Sequence, residues 1–175
     1  MSGDTRPMTD LGQGATFPDL ELHDHAGVLR HLDDLVGGDP TLVHFFRGWW
    51  CPKEQAFLRM LVDLQDEAEV AYTRFVSISI DEQAVSAAFR AGLGARWTFL
   101  CDPDRRYVGE LGLRETTDTK HDPYVPTAFV LGPGRIVAGV WNGYWFWGRP
   151  TAEELRQRFR TVTRDSRPDW EVPRA

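Results

Sequence analysis

The spacing of apolar and polar positions changes several times along the chain, and each change predicts an element. Leu20 and Leu22 alternate with polar neighbours, a turn runs from Asp24 to Gly27, and apolar positions resume at Val28 and Leu29. This predicts a β-hairpin, closed by a short helical HLDDL segment at 31–35. Gly37 to Pro40 then breaks the chain before a strand-like run of Leu42, Val43, Phe45 and Phe46. His44 lies inside that run and is expected to face away from Val43 and Phe45, as a satisfied core or edge histidine or as a proton-transfer group for the site that follows. Phe57, Leu61, Leu64, Ala68 and Ala71 recur at helical spacing and form one apolar stripe. Tyr72 to Ile80 is rich in β-branched and aromatic residues, so it reads as a buried strand reached through that helix, a βαβ unit.

Asp81 is placed to cap a further helix whose apolar face is Val85, Ala88, Phe89 and Leu93, with Gly92 and Gly94 ending it. Trp97 to Leu100 reads as a short strand, and a turn through Cys101–Asp104 feeds a helix from about Arg105 to Leu111. Val125 to Leu131 and Ile136 to Trp141 flank a GPGR turn and predict an antiparallel hairpin. Thr151 and Glu154 have the spacing of a capping box, opening a last helix that buries Leu155, Phe159 and Val162. The resulting order is β, β, short helix, β, α, β, α, β, α, β, β, α. It implies an α/β fold with a central mixed sheet flanked by helices on both faces.

Length changes little in this picture: 175 residues suit one domain. It is placed at residues 15–163, with a flexible N-terminal arm at 1–14 and a C-terminal tail at 164–175 that carries Trp170 and docks on the domain or on a partner subunit. The polar stretch 114–124 is long for a connection in a compact domain, which suggests a functional or mobile segment. A net charge of −6 argues against nucleic-acid and anionic-membrane partners, which ask for basic surface. Residues 1–14 lack a signal-peptide core and no apolar run approaches membrane-spanning length, so a cytoplasmic protein is expected. His23, His25 and His31 read as solvated hairpin surface rather than as metal ligands, and no cofactor is implied.

Two cysteines, Cys51 and Cys101, are too few for a disulfide scaffold and are expected to be free or catalytic. Cys51 stands out because Pro52 suits the first helical position, which makes Cys51 the N-cap of the amphipathic helix. A thiol placed there faces unpaired N–H groups and the positive end of the helix dipole, an arrangement that favours the thiolate, the nucleophilic form. Arg47 and Lys53 add positive charge nearby. Glu54, at the third helical position, opposes them unless it reaches back to the Cys51 N–H or pairs with a base. Cys101 sits after a strand in a Cys-Asp-Pro turn and reads as an inert packing thiol, with a resolving role as the alternative. Trp141, Tyr144, Trp145, Phe146 and Trp147 crowd before the last helix, either as a wall for substrate or partner or as extra core, and Arg149 is set to pair with a carboxylate of the fold or a substrate anion.

The segment RGWWCPKE around Cys51 resembles the active-site turn of the alkyl hydroperoxide reductase/thiol-specific antioxidant group of thioredoxin-like redoxins. The order of elements over about 12–163 is similar to the whole of that domain, and YVPTAFVL at 124–131 is similar to the segment that carries its cis-proline. The resemblance implies a thioredoxin-like fold, Cys51 as the redox-active cysteine, a cis Pro126, and Pro126 and Thr127 beside Trp49 and Trp50 in the site wall. The chain departs from the pattern at Glu54, where a dithiol motif has its second cysteine. It also departs at His44 and Gly48, where the family places Pro and Thr, and at Pro126, where the family's arginine falls, leaving that role empty or passing it to Arg47.

The function so implied is peroxiredoxin-like. Cys51 would reduce hydrogen peroxide or an organic hydroperoxide, assisted by Arg47 and Glu54, and an external thiol or thioredoxin-type reductant would recycle it. A homodimer is compatible with the aromatic-rich surface. Two alternatives are a monothiol disulfide-exchange protein and a non-catalytic binding module on the same fold.

Overall fold

The computed structural model describes residues 11–143 and 148–169. The elements follow the order expected: β1 (Glu21–Asp24), β2 (Leu29–His31), α1 (Leu32–Val36), β3 (Thr41–Phe45), α2 (Pro52–Val70), β4 (Arg74–Ser79), α3 (Gln83–Leu93), β5 (Thr98–Cys101), α4 (Arg106–Glu110), β6 (Thr127–Leu131), β7 (Val137–Asn142) and α5 (Ala152–Ser166). The seven strands form one sheet in the order β2-β1-β5-β4-β3-β6-β7. Parallel pairing joins β3 to β4 and β4 to β5, and the remaining pairs are antiparallel. The sheet is mixed because α2 and α3 serve as crossovers between parallel strands, whereas the turn at 132–136 joins β6 and β7 directly.

Alternation along β3 divides the core. Val43 and Phe45 join Leu32, Val36, Tyr107, Val108 and Tyr124 in one buried cluster, while Leu42 and Phe46 join Phe57, Leu58, Leu61, Leu64, Leu155 and Phe159 in the other. The two clusters lie on opposite faces of the sheet because successive side chains of a strand point to opposite sides. His44, between Val43 and Phe45, therefore faces α2, as its position in the alternation predicts; it is 1% exposed and packs on the rings of Phe46 and Phe57. At the end of the chain, Thr151 and Glu154 form the expected capping box at the start of α5.

Several sequence expectations are corrected. Ala71 is the exposed C-cap of α2, so the buried stripe ends at Ala68. Glu82, not Asp81, is the N-cap of α3, and Ala88 on that helix is exposed; Ser86 is its buried residue. There is no cis peptide bond among the described residues, so the peptide bond before Pro126 is trans. The trans form is the cheaper state of an X-Pro bond, and here the chain runs from an antiparallel bridge at Tyr124, past a hydrogen bond from the Val125 N–H to the Leu113 carbonyl, straight into β6. The stretch 114–124 is well tethered. The Arg105 guanidinium donates to the carbonyls of His121 and Asp122, and Asp122 also pairs with Arg114. Of the expected arm, residues 1–10 lie outside the described residues, and Gly14 donates its N–H to the Val137 carbonyl. Tyr144, Trp145, Phe146, Trp147 and Trp170 also lie outside the described residues. No helix among the described residues is long and apolar enough to cross a membrane.

Candidate active site

The site forms where β3 gives way to α2. Phe46 closes the strand by donating its N–H to the Ile78 carbonyl, and the chain turns through Arg47–Trp50 before α2 begins. Cys51 is the N-cap of α2 in extended conformation (φ −84°, ψ 115°), with Pro52 in the first turn. Its N–H donates to the Gly48 carbonyl and its carbonyl accepts the Gln55 N–H. The thiol is free and only 3% exposed, and no side chain caps the helix, which leaves the positive end of the α2 dipole at the sulfur.

Gly48 is required by the turn. Its φ is 154°, and a Cβ there would lie 2.5 Å from the Trp50 Nε1 and 3.1 Å from the Asp81 Oδ1. Trp50 fills the space a side chain at Gly48 would take. Asp81 holds the turn from β4, its Oδ2 accepting both the Trp49 N–H at 3.0 Å and the Ser79 hydroxyl at 3.0 Å. Burial pushes the Asp81 carboxyl above its ordinary range, and the bonds from Ser79 and Trp49 only partly offset this. Trp49 is half exposed and forms the outer wall.

Arg47 does not stand alone as the cation expected near Cys51. Its guanidinium pairs with Asp118 at 2.5 Å and lies 5.0 Å from the centroid of Trp50. Trp50 also stacks on His121, with centroids 4.0 Å apart and planes 19° from parallel. Asp118 also contacts the His121 Nδ1 at 2.9 Å, so one carboxylate ties together the two groups that flank the indole. Despite some burial, the bonds from His121 and the charges of His121 and Arg47 hold the Asp118 carboxyl below its ordinary range. Asp118 and His121 escaped the sequence reading. Their spacing carries no motif, and the length of the 114–124 stretch was the only signal.

Glu54 departs most from expectation. It makes no capping bond back to Cys51; it points inward, fully buried, to a pair of basic side chains. His44 Nε2 lies 3.3 Å from one of its oxygens, and the Arg149 guanidinium donates to the other. Burial alone would raise the Glu54 pKa, but the contact with His44, followed by the charge and bond of Arg149, outweighs it and holds the carboxyl below its ordinary range. An inward Glu54 is the better outcome physically, because the sheet side of α2 already holds a histidine that needs a polar neighbour.

Pro126 directly precedes β6, and Thr127 is the first residue of that strand. Thr127 pairs with Phe45 across β6 and β3, and its hydroxyl donates to the Val125 carbonyl. Cys101 lies at the end of β5, with β4 between it and β3, and pairs in register with Ser79. Both cysteines are free thiols. Burial pushes the Cys101 thiol up, and Asp81, Asp24 and Glu82 add to the shift against a bond to Ser86. Its surroundings are those of a packing thiol.

The AhpC/TSA family model matches residues 13–140. The chain belongs to the AhpC/TSA family. The match spans the sheet from the segment before β1 to β7 and includes the Cys51 turn. No curated protein matches the chain in sequence. Among solved structures it is similar in fold to the peroxidoxin BcpB of Mycobacterium tuberculosis, with a TM-score of 0.74 at 22% identity over 87% of this chain and 97% of that one. It is similar also to reduced Prx3 of Vibrio vulnificus in complex with hydrogen peroxide, with a TM-score of 0.76 at 19% identity over 85% and 96% of the two chains. AhpC of Enterococcus faecalis gives 0.73 at 16% identity over 92% and 98%. Membership in the AhpC/TSA family and these likenesses agree on a thioredoxin-like α/β fold of the peroxiredoxin type.

Proposed function

We propose that this AhpC/TSA-family chain is a thiol-dependent peroxidase in which Cys51 reduces hydrogen peroxide or an organic hydroperoxide. The observation that carries the reading is the position of a free cysteine at the uncapped N-terminus of the 19-residue helix α2. The Cys51 thiolate attacks the terminal oxygen of the hydroperoxide; an S–O bond forms as the O–O bond breaks, and the departing alkoxide or hydroxide takes up a proton. Cys51 is left as a sulfenic acid. The first-turn amides of α2 support the anionic sulfur and the charge that develops on the oxygen. An external thiol of the glutathione or thioredoxin type then attacks the sulfenic sulfur, releasing water and leaving a mixed disulfide, which a second thiol resolves to regenerate Cys51. A cytoplasmic setting, where such thiols are maintained reduced, belongs to the same reading. So does a homodimer, supported by exposed Trp49 and Tyr72 and checked by light scattering.

The experiment is stopped-flow oxidation of the reduced protein by hydrogen peroxide and by an alkyl hydroperoxide, followed through the fluorescence of Trp49 and Trp50, with intact mass before and after. A fast phase that is absent from Cys51→Ser, with a gain of one oxygen, is expected. Oxidation no faster than that of an ordinary free thiol would overturn the peroxidase reading in favour of disulfide exchange.

A further inference from the structure

The C-terminal part of α2 and the face of α5 beside it enclose a groove of about 650 Å³, within the roughly 300–1,000 Å³ span of small-molecule sites. Its floor is apolar, built from Leu64, Ala68 and Phe159, all buried. The groove opens at the end of α2 remote from the candidate active site. Leu64 lies roughly 20 Å along the helix axis from Cys51.

Tyr72 at this groove is placed against its own conformational preference. The Thr73 N–H donates to the Ala68 carbonyl and the Tyr72 N–H to that of Glu69, so α2 ends in a Schellman motif with Tyr72 at the left-handed position. Its φ is 54°, a conformation that glycine adopts freely and a tyrosine does not. The ring so held is 71% exposed, with the Arg167 guanidinium 5.9 Å from its centroid, and Val70 is 83% exposed. These are the two most exposed large apolar side chains among the described residues, and both line the groove. Backbone strain retained while an aromatic ring stays in solvent points to a binding surface, because neither core packing nor turn geometry calls for the ring.

Charge narrows the ligand. The chain as a whole carries −6, yet among the described residues the groove is lined by Arg156, Arg160, Arg164 and Arg167 against a single acid, Glu67. Arg156 is bonded to Glu67, and Arg167 shares Asp39 with Arg74. Arg160 and Arg164 make only long contacts, 3.6 and 3.4 Å, with exposed acids of their own helix. Two solvated guanidinium groups thus border an apolar floor, and their forked donors suit a carboxylate. Thr73 adds to the wall a buried hydroxyl with no hydrogen-bond partner. The walls are helices whose backbone amides are already paired, so an extended peptide finds no strand edge there.

We propose that the groove between α2 and α5 binds an amphiphilic carboxylate, its hydrocarbon body against Leu64, Val70, Tyr72 and Phe159 and its anionic head held by Arg160 and Arg164. The site is separate from Cys51 and its occupancy involves no redox step, so it can fail without the peroxidase reading and the reverse.

The test is isothermal titration calorimetry of the full chain with monomeric dodecanoate, and with decyl maltoside as a neutral-headed counterpart. Dodecanoate should bind at one site per chain, and decyl maltoside more weakly. Arg160→Gln combined with Arg164→Gln should weaken dodecanoate about tenfold and leave decyl maltoside unchanged. Tyr72→Gly should weaken both about tenfold while Tm holds or rises, because glycine relieves the left-handed strain. A tyrosine with a merely structural role would instead lower Tm when removed. The absence of a dodecanoate isotherm in the parent, or equal affinities in parent and variants, would overturn the proposal. Sedimentation of the parent with phosphatidylglycerol vesicles in place of that isotherm would assign the groove to a membrane surface and overturn it too. So would a parent dimer that Tyr72→Gly converts to monomer in light scattering, since a second copy would then be the occupant.

Discussion

Glu54 Oε2 stands 3.3 Å from His44 Nε2, a contact between the first turn of α2 and the C-terminal end of β3 that no solvent reaches. The Glu54 pKa is lowered from its ordinary 4.5. A carboxyl lowered on folding contributes stability that is present above its unfolded value and lost as pH falls through its folded value. Urea unfolding from pH 7 downward should therefore show an acid limb beginning near pH 4.5 and continuing below it. Glu54→Gln should flatten that limb while costing roughly 3 kcal/mol at pH 7, because one member of a buried charged group is lost. An unchanged acid limb in the variant would show that Glu54 is not the titrating group.

Gly48→Thr should disrupt the turn. The new Cβ meets the indole of Trp50, which cannot swing away freely because His121 and Arg47 flank it. A loss of about 1–3 kcal/mol is expected, together with a change in the near-UV dichroism of Trp50. Equal stability and an unaltered spectrum would mean that the indole finds another place at no cost.

Asp118→Asn should loosen the 114–124 stretch without unfolding the domain. Arg47 and His121 lose their shared carboxylate, yet both are partly solvated, so the expected loss is about 1 kcal/mol or less. Amide exchange of residues 117–122 should quicken while that of β3 and β4 stays slow, a pattern that hydrogen-exchange mass spectrometry reads directly. Uniform exchange across the chain would argue that Asp118 supports the whole fold.

Cys101 should be silent. Iodoacetamide applied to the native protein near pH 7.5 should modify Cys51 alone, with Cys101 reacting only after denaturation, because burial raises the Cys101 pKa whereas Cys51 sits at a helix N-terminus. Peptide mass mapping checks this. Cys101→Ala should leave the rate and oxygen gain of Cys51 oxidation unchanged; a loss of two hydrogens from the parent on oxidation would instead reveal a Cys51–Cys101 disulfide.

The elements and their order are written in local patterns of residues, because periodicity, glycine breaks and helix caps act over a few neighbouring residues. Pro52 places Cys51 at a helix N-cap, Thr151 and Glu154 cap α5, and the alternation of Val43, His44 and Phe45 turns the histidine toward α2. Each of these follows from geometry within one turn or one pleat. The partners of the charged side chains are another matter. Glu54 could equally have capped its own helix, Asp81 could have capped α3, and Arg47 could have stood free beside the thiol; locally these options lie close in energy. Folding selects among them, by bringing Arg149 to Glu54 across 95 positions, Asp118 to Arg47 across 71 and the Trp49 amide to Asp81 across 32. Burial makes an unpaired charge or amide far more costly than a lost local cap, so packing, which no local pattern encodes, chose the pairs that surround Cys51.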